Sequence, residues 1–185
     1  MRIISGTARG MKLYTLEGTH TRPTLDRVKE PLFSILQMYI KDAMVLDLFS
    51  GSGALALEAL SRGANKAILC DSSCEAVQVI KRNIEKTHMD DKAKVFCTDY
   101  QKYVKDCTEC FDLIFLDPPY EANIAVKAAT MVIEHQLLKP NGIIIIETDD
   151  AERELKQSAT CSDLINVYDL RKYGRVSLIF LKREG

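Results

Sequence analysis

The 185-residue sequence lacks long hydrophobic runs, internal repeats and low-complexity tracts. A membrane-spanning helix needs about 18 to 20 consecutive apolar residues, and a secretory signal has a shorter apolar core behind a basic start. Because neither pattern is present, we predict a cytoplasmic protein with no membrane partner. Hydrophobic residues form 46% and charged residues 28% of the chain, which is typical of globular proteins. The length suits one domain with a sizeable core, residues 1–185.

The sequence also lacks the cysteine patterns of disulfide-rich or zinc-binding proteins. Of six cysteines, Cys107 and Cys110 form the one suggestive Cys-x-x-Cys pair. A structural zinc site takes about four ligands, and no second pair with suitable spacing accompanies this one. We therefore predict reduced cysteines and no metal. Cys70 and Cys97 fall in strand-like runs, which indicates small core residues.

A strong excess of positive charge is absent as well, since the net charge is −1. That value alone argues against a protein that binds nucleic acid mainly through its charge. The distribution is uneven, however: residues 1–29 carry six basic and two acidic side chains, a net charge of +4, so the remainder carries −5. A basic arm on an acidic body favours contacts with phosphates. Chance clustering on a solvated surface is the alternative.

Asp117-Pro118-Pro119-Tyr120 is the most informative stretch that is present. It closes an apolar run, residues 111–116, which predicts a buried strand ending at a stiff loop. Because ligands of open α/β sheets bind at the carboxyl ends of the strands, we expect a site here. Asp117 and the Pro118 carbonyl accept hydrogen bonds, prolines donate none, and the Tyr120 ring can stack on a planar base. An ordinary turn, with Tyr120 packed in the core, is the alternative.

A second stretch, Asp47-Leu48-Phe49-Ser50-Gly51-Ser52-Gly53, lies between an apolar run and a segment of strong helix formers. It predicts a strand-to-helix turn whose glycines let a ligand approach the backbone and whose helix N-terminus presents free N–H groups. The spacing Gly51-x-Gly53-x-x-Ala56 also fits dinucleotide-binding turns, so this stretch alone does not identify the ligand. Asp71 ends the next apolar run, where an acidic residue can bind ribose hydroxyls. Helix capping is the other interpretation of Asp71.

Strand-like and helix-like segments alternate along most of the chain, which predicts βαβ units and a parallel sheet. Two short extended segments, 2–4 and 11–16, predict an N-terminal β-hairpin, and a helix precedes the first strand. The last two strands flank a turn at 172–175, which predicts an antiparallel hairpin. We expect strands near 43–48, 67–71, 94–97, 111–116, 142–147, 164–171 and 176–182. We expect helices near 53–62, 73–87, 100–106, 122–137 and 150–157.

Together and in this order, the two motifs and the acidic end of the second strand resemble the class I S-adenosylmethionine-dependent methyltransferases. The Asp-Pro-Pro-Tyr variant is similar to that of enzymes that methylate exocyclic amino groups of nucleobases. The segments 2–6, 9–13, 22–30 and 46–64 narrow the resemblance to the bacterial 16S ribosomal RNA guanine-N2 methyltransferases of the RsmD type, over nearly the whole chain. Pro31 departs from that pattern and suggests that its helix begins nearer Glu30.

The resemblance implies an α/β, Rossmann-like fold with a mostly parallel seven-stranded sheet that ends in an antiparallel hairpin. Residues 1–22 would form the basic hairpin and loop, and residues 23–185 the catalytic core. S-adenosylmethionine would be the cofactor. The substrate would be the N2 amino group of a guanine in 16S ribosomal RNA, within an assembled or assembling small subunit.

The resemblance also implies roles for individual residues. The catalytic residues would be Asp117, Pro118 and Tyr120. The cofactor contacts would be Asp47, Phe49, Gly51, Gly53, Asp71, Asp99 and Thr24. The RNA contacts would be Arg9, Lys12, Arg22 and Arg27. Two alternatives stay open: Asp99 as a helix cap, and Arg22, Thr24 and Arg27 as ligands of either the methionine carboxylate or an RNA phosphate.

Three other functions compete with this one. A DNA adenine-N6 methyltransferase would share the tetrapeptide, but such enzymes usually need a target-recognition insertion, for which this chain has little room. A nicotinamide-dependent oxidoreductase would use the glycine turn but not the tetrapeptide, and a non-catalytic RNA-binding module would need neither. We therefore predict an RNA methyltransferase that recognises its substrate largely by shape.

Overall fold

The computed structural model describes residues 1–16, 24–119, 124–161 and 165–183. Within these ranges the helices are α1 (Thr24–Ile35), α2 (Gln37–Ile40), α3 (Ala54–Ser61), α4 (Cys74–Thr87), α5 (Tyr100–Asp106), α6 (Ile124–Glu134) and α7 (Ala151–Cys161). The strands are β1 (Met44–Asp47), β2 (Lys66–Asp71), β3 (Ala93–Cys97), β4 (Phe111–Leu116), β5 (Leu138–Thr148), β6 (Ile165–Tyr173) and β7 (Val176–Arg183). No helix in this part of the chain is both long and apolar enough to cross a membrane.

The seven strands form one sheet in the order β3-β2-β1-β4-β5-β7-β6. Strands β1 to β5 are parallel, whereas β7 runs antiparallel to both β5 and β6. The predicted α/β fold, with a mostly parallel sheet and a terminal antiparallel hairpin, is confirmed. The direction of winding reverses between β1 and β4, and a reversal of this kind opens a crevice beyond the carboxyl ends of the strands.

Both faces of the central strands are buried, which explains why these strands are apolar without alternation. In β4, Leu113 and Phe115 point into the core that α1, α3 and α4 cover. Ile114 and Leu116 point into the opposite core, with α5 and α6. Successive strand residues face opposite sides, so one short apolar run serves two cores.

The expectation that Pro31 delays its helix is wrong, because α1 begins at Thr24 and contains Pro31. A proline inside a helix removes one backbone hydrogen bond and costs about 3 kcal/mol. Burial of Val28, Leu32 and Phe33, each at most 1% exposed, offsets this cost, since each fully buried apolar side chain contributes about 1.5–3 kcal/mol.

Asp112, the polar interruption in β4, joins neighbouring strands. Its Oδ2 accepts hydrogen bonds from the Met44 N–H at 2.8 Å and from Lys139 Nζ at 2.7 Å. Lys139 belongs to an early part of β5 that the sequence did not predict as strand. There the register with β4 shifts after Leu138 pairs with Phe111, so the strand is irregular where the pattern was least clear.

The N-terminal arm, residues 1–16, forms the predicted hairpin around a single antiparallel bridge between Arg2 and Lys12. The Ile3 N–H donates to the Met11 carbonyl and the Gly10 N–H to the Ile3 carbonyl, both at 2.9 Å. The proposed division from the core at residue 22 falls outside the described residues and stays a prediction.

A buried carboxylate fixes this arm to α3. Glu58 is fully buried and accepts hydrogen bonds from the Ile4 and Ser5 N–H groups at 2.8 and 3.0 Å. Lys29 Nζ and Arg62 Nε lie 3.0 and 2.7 Å from its two oxygens. Lys29 is itself 1% exposed. Its charge was counted in the +4 of residues 1–29, but it does not contribute to a basic surface.

We expect Glu58→Gln to lower the free energy of unfolding by about 3–5 kcal/mol, because removing one member of a buried ion pair leaves the other charge uncompensated. Urea unfolding followed by circular dichroism measures the loss. Asp169→Asn is the control, since it breaks the more exposed Asp169–Arg171 pair and should cost about 1 kcal/mol or less. Equal losses in the two variants would contradict a dominant role for Glu58.

Candidate functional site

Four of the predicted site carboxylates lie at one edge of the sheet. Asp47 and Asp71 are the last residues of β1 and β2, Asp99 precedes α5, and Asp117 follows β4. Strands β1 to β4 are parallel neighbours, so their carboxyl ends meet. Asp47 is level with Phe115 of β4, which puts Asp117 just beyond it.

Asp47 is buried beside other carboxylates. It is 1% exposed, and burial is the largest cause that raises its pKa, to about 8. The charges of Asp117 and Asp71 raise this pKa further, while the Phe49 N–H and the Ser50 hydroxyl lower it. Among the described residues, Asp47 Oδ1 has no hydrogen-bond partner. A buried acceptor of this kind suits a cationic donor from outside the protein.

The turn after β1 has the backbone that its glycines predict. Gly53 precedes α3 with φ 79°, and a Cβ atom there would lie 3.0 Å from Leu69 Cδ2. Gly51 has φ 54° and open space where a side chain would stand. The Phe49 ring lies 5.3 Å from that of Tyr100, so Phe49 also packs against α5.

Asp71 ties the turn to the end of β2. Its Oδ2 accepts from the Gly51 N–H and its Oδ1 from the Ser73 N–H, each at 2.9 Å. The cap of α4 is Ser73 and not Asp71. The link between Asp71 and Gly51 was not predicted, because residues 20 positions apart give no local signal. Each carboxylate oxygen can accept a second hydrogen bond, so a ribose contact remains sterically and chemically open.

Asp99 caps a helix, which was the alternative interpretation of this residue. It is exposed, precedes α5, and accepts from the Gln101 N–H at 2.8 Å as the helix cap. Capping occupies one oxygen and leaves acceptor capacity on the carboxylate. The cap therefore does not conflict with a contact to an adenine amino group.

The prediction of small core residues is right for Cys70 and wrong for Cys97. Cys70 is fully buried as expected, but Cys97 is exposed, because β3 is an edge strand. Its Sγ lies 2.7 Å from that of Cys74, at the start of α4. Cys107 and Cys110 instead contact Tyr103 and the Gln136 carbonyl. In the described ranges no group of three or more His, Cys, Asp or Glu could hold a metal ion.

The tetrapeptide is described as far as Pro119. Asp117 is partly exposed and Pro118 is buried. Tyr120 and Arg22 lie outside the described residues, and the side chains of Thr24 and Arg27 are not described either. The roles predicted for these four residues therefore stay predictions.

Arg9 and Lys12 are exposed on the N-terminal arm. The arm lies along α3, with its turn against the last residue of that helix. There the Thr7 and Ala8 N–H groups donate to the carbonyl and the hydroxyl of Ser61, at 2.9 and 3.0 Å. Arg9 is therefore near the end of α3 that is remote from the glycine turn.

The order of strands, the glycine turn after β1 and the acidic strand ends are those of a class I methyltransferase. Over its full length the chain superposes on a solved structure of yhhF, a candidate methyltransferase from Escherichia coli. The TM-score is 0.87 at 30% identity, with 98% of that chain covered.

Residues 1–182 match the family described as conserved hypothetical protein 95, and the chain belongs to it. One relative is Ribosomal RNA small subunit methyltransferase D of Haemophilus influenzae, 39% identical over 80% of this chain and 79% of that protein. Another is the candidate rRNA methyltransferase YlbH of Bacillus subtilis, 36% identical over the whole of both chains. The family to which the chain belongs is thus that of the RsmD-type rRNA methyltransferases.

The raised pKa of Asp47 predicts how stability depends on pH. The carboxyl group ionises near pH 3.8 in the unfolded chain and near pH 8 in the folded protein. The ligand-free protein therefore loses stability as the pH rises between these values. Asp47→Asn cannot ionise, so it should be more stable than the wild type by about 1–5 kcal/mol at pH 8. The advantage should shrink toward pH 5, as urea unfolding would show.

The exposed carboxylate of Asp91 provides the control, since Asp91→Asn should change stability little at either pH. The same Asp47→Asn protein should bind S-adenosylmethionine about 10- to 150-fold more weakly by calorimetry, the scale for losing a hydrogen bond to a charged group. Unchanged stability together with unchanged affinity would remove Asp47 from the site.

Proposed function

We propose that this protein transfers the methyl group of S-adenosylmethionine to the exocyclic N2 amino group of a guanine in 16S ribosomal RNA. One observation carries the proposal: Asp117 and Pro118 follow β4 directly beside the buried Asp47 and the glycine turn of β1. This arrangement brings an acceptor-rich loop next to a site for a cationic ligand. The small-subunit methyltransferase among the relatives supports the choice of RNA.

Two features of the site after β1 suit S-adenosylmethionine. Asp47 Oδ1 is a buried acceptor that no described residue satisfies, and the cofactor's amino group is a cationic donor. Gly51 leaves open space beside the backbone, where a ligand can approach closely. The cofactor supplies a methyl group on a positively charged sulfonium. Asp71 would accept from the ribose hydroxyls and Asp99 from the adenine amino group.

Phe49, Gly53 and Thr24 complete the proposed cofactor contacts on the basis of the family resemblance. Phe49 and Gly53 flank the open backbone at Gly51, and Gly53 precedes α3, whose N-terminus favours an anionic group such as the methionine carboxylate. Thr24 begins α1. Its contact, like those of Arg22 and Arg27, is proposed from the sequence.

The carboxylates explain why a cation would bind here. Asp117 and Asp71 both raise the pKa of Asp47, which means that the negative charges repel one another. A bound cation removes part of this repulsion and favours the ionised form of Asp47. The positive charges of the sulfonium and the amino group match this electrostatic environment.

Asp117 and Pro118 would prepare the substrate nitrogen. The lone pair of an aryl amine is delocalised into the ring, and in-line attack needs it directed at the methyl carbon. The Asp117 carboxylate and the Pro118 carbonyl would accept from the two N–H bonds, which localises the lone pair and positions the nitrogen. As the new N–C bond forms and the C–S bond breaks, the nitrogen releases one proton, to Asp117 or to water. Tyr120 would stack on a base that has left its helix or loop.

The proposed substrate is the small subunit, assembled or assembling, and the reaction takes place in the cytoplasm, where that substrate resides. Between the elements of the sheet, the described residues contain no inserted recognition domain. Recognition by the described residues would therefore use the surfaces of the core and of the arm, which favours a substrate of fixed shape.

The chemistry predicts an order of activities at Asp117. Asp117→Ala should keep the fold and most of the cofactor affinity while lowering kcat about 10²–10³-fold, the scale for losing one group that acts on the transition state. Asp117→Asn should lose less, because its amide oxygen still accepts a hydrogen bond. Methyl transfer to small subunits that lack the modification is measured by mass spectrometry of the nucleosides.

Asp149→Ala is the matched control, since Asp149 is an exposed carboxylate just beyond the next strand, β5, and should leave kcat unchanged. Near-normal turnover by folded Asp117→Ala protein would refute the catalytic assignment. A methylated product other than N2-methylguanosine would refute the position of transfer.

The basic arm predicts a salt-dependent contact with RNA. Arg9→Glu combined with Lys12→Glu should weaken RNA binding and reduce the slope of log affinity against log salt by about 1–2, because fewer counterions are released. Affinity for S-adenosylmethionine should stay the same. Lys172→Glu with Arg175→Glu makes the same charge change at the β6–β7 turn and should affect RNA binding less. Equal effects would indicate a response to net charge alone.

A further inference from the structure

Two cations of α4 lie against the ring of Tyr14. Arg82 Cζ is 4.1 Å and Lys86 Nζ is 4.3 Å from the ring centre, and Tyr14 is 40% exposed. Within the part of the chain that the structure describes, neither cation forms an ion pair. Lys86 lies in the last turn of α4, where a cation stabilises the helix. Like charges four residues apart weaken a helix slightly, so the stability of α4 alone does not explain the pair.

The backbone of Tyr14 is anchored by a buried amide. Asn83 is fully buried, and its Oδ1 accepts from the Tyr14 N–H at 2.7 Å. Its Nδ2 donates to the Tyr14 carbonyl at 3.0 Å. The ring is therefore presented to solvent from an anchor that does not need it.

The same anchor places Tyr14 beside the glycine turn. Asn83 Nδ2 also donates to the Ser52 carbonyl at 2.8 Å, and Ser52 lies between Gly51 and Gly53. The turn of the arm contacts Ser61 at the other end of α3, a helix of 8 residues and thus about 12 Å long. Tyr14 is thus nearer to the glycine turn of the candidate site than Arg9 is.

Lys12 extends this surface. Exposure alternates along the arm, with Leu13 buried between the exposed Lys12 and Tyr14. Alternation of this kind directs Lys12 and Tyr14 to the same side of an extended chain. We call the exposed group of Lys12, Tyr14, Arg82 and Lys86 the Tyr14 surface.

We propose that the Tyr14 surface binds the substrate RNA next to the target nucleotide, with an unpaired base stacked on Tyr14 and phosphates bound by the cations. An exposed aromatic ring flanked by unpaired cations is the combination that binds single-stranded nucleic acid. Arg82 and Lys86 lie over the ring in the free protein. Their side chains are long and flexible, so a stacking base can displace them from the ring to neighbouring phosphates. The inference rests on the proposed function, because that function makes the ligand an RNA.

Tyr14→Ala, Tyr14→Phe and Tyr14→Leu test the stacking. The probe is unmethylated small subunits, and the readouts are RNA affinity by filter binding and KM and kcat for methyl transfer. Tyr14→Ala and Tyr14→Leu should lower RNA affinity roughly 5- to 150-fold, as expected for the loss of one stacked base. KM should rise with kcat little changed, and Tyr14→Phe should resemble the wild type.

Arg82→Ala combined with Lys86→Ala tests the phosphate contacts separately. This variant should reduce the salt slope of RNA binding by about 1–2, whereas Tyr14→Ala should leave the slope unchanged. Tyr168→Ala is the matched control: its ring is 56% exposed with Lys182 Nζ 3.7 Å away, but it lies on the edge strand β6. It should bind RNA like the wild type.

Wild-type RNA affinity in folded Tyr14→Leu protein, or an equal loss in Tyr168→Ala, would overturn the inference. The proposed function would stand in that case if the wild type still methylates guanine N2 and Asp117→Ala does not. Failure of the wild type to bind or methylate small subunits would instead overturn the proposed function.

Discussion

The buried carboxylate of Glu58 is the interaction on which the arrangement of the N-terminal half depends. It joins the backbone of the arm, Lys29 of α1 and Arg62 beyond α3 around two oxygen atoms. The arm itself contains a single bridge pair, which is too little pairing for a stable hairpin in water. Its position is therefore fixed by contacts with the core, through the burial of Ile3, Ala8 and Leu13 and through the polar contacts of Glu58. Such contacts are specific in geometry, because a buried charge is costly unless its partners are correctly placed.

A different situation holds at the carboxyl edge of the sheet, where the carboxylates of Asp47, Asp71 and Asp117 lie close together. Burial and the two neighbouring carboxylates raise the pKa of Asp47 to about 8. An arrangement that destabilises the ligand-free protein is expected where binding of a cationic ligand offsets it. Glu58 and Asp47 are thus both buried carboxylates, yet the first has its cations within the fold and the second would receive its cation from the cofactor.

The sequence was sufficient for features that depend on local pattern. The strands, the glycine turn and the positions of Asp47, Asp71 and Asp117 at strand ends follow from periodicity and from residues that break it. The sequence was insufficient where the partner is distant along the chain. The burial of Lys29, the exposure of Cys97 on an edge strand and the bond between Asp71 and Gly51 all depend on which elements become neighbours. Glu58 did carry a signal, because it is the one charged residue in α3, Ala54–Ser61, and an isolated charge in an otherwise apolar helix requires a buried partner.

Asn83 shows why the arm and the cofactor turn should be considered together. A single buried amide binds Tyr14 and Ser52, so the outer surface of the arm and the backbone of the glycine turn share one support. A shared support of this kind would keep the proposed RNA surface in a fixed position relative to the methyl donor. The proposed recognition by shape would require such a fixed position, because the target amino group would have to arrive within hydrogen-bonding distance of Asp117 when the rest of the RNA is in place.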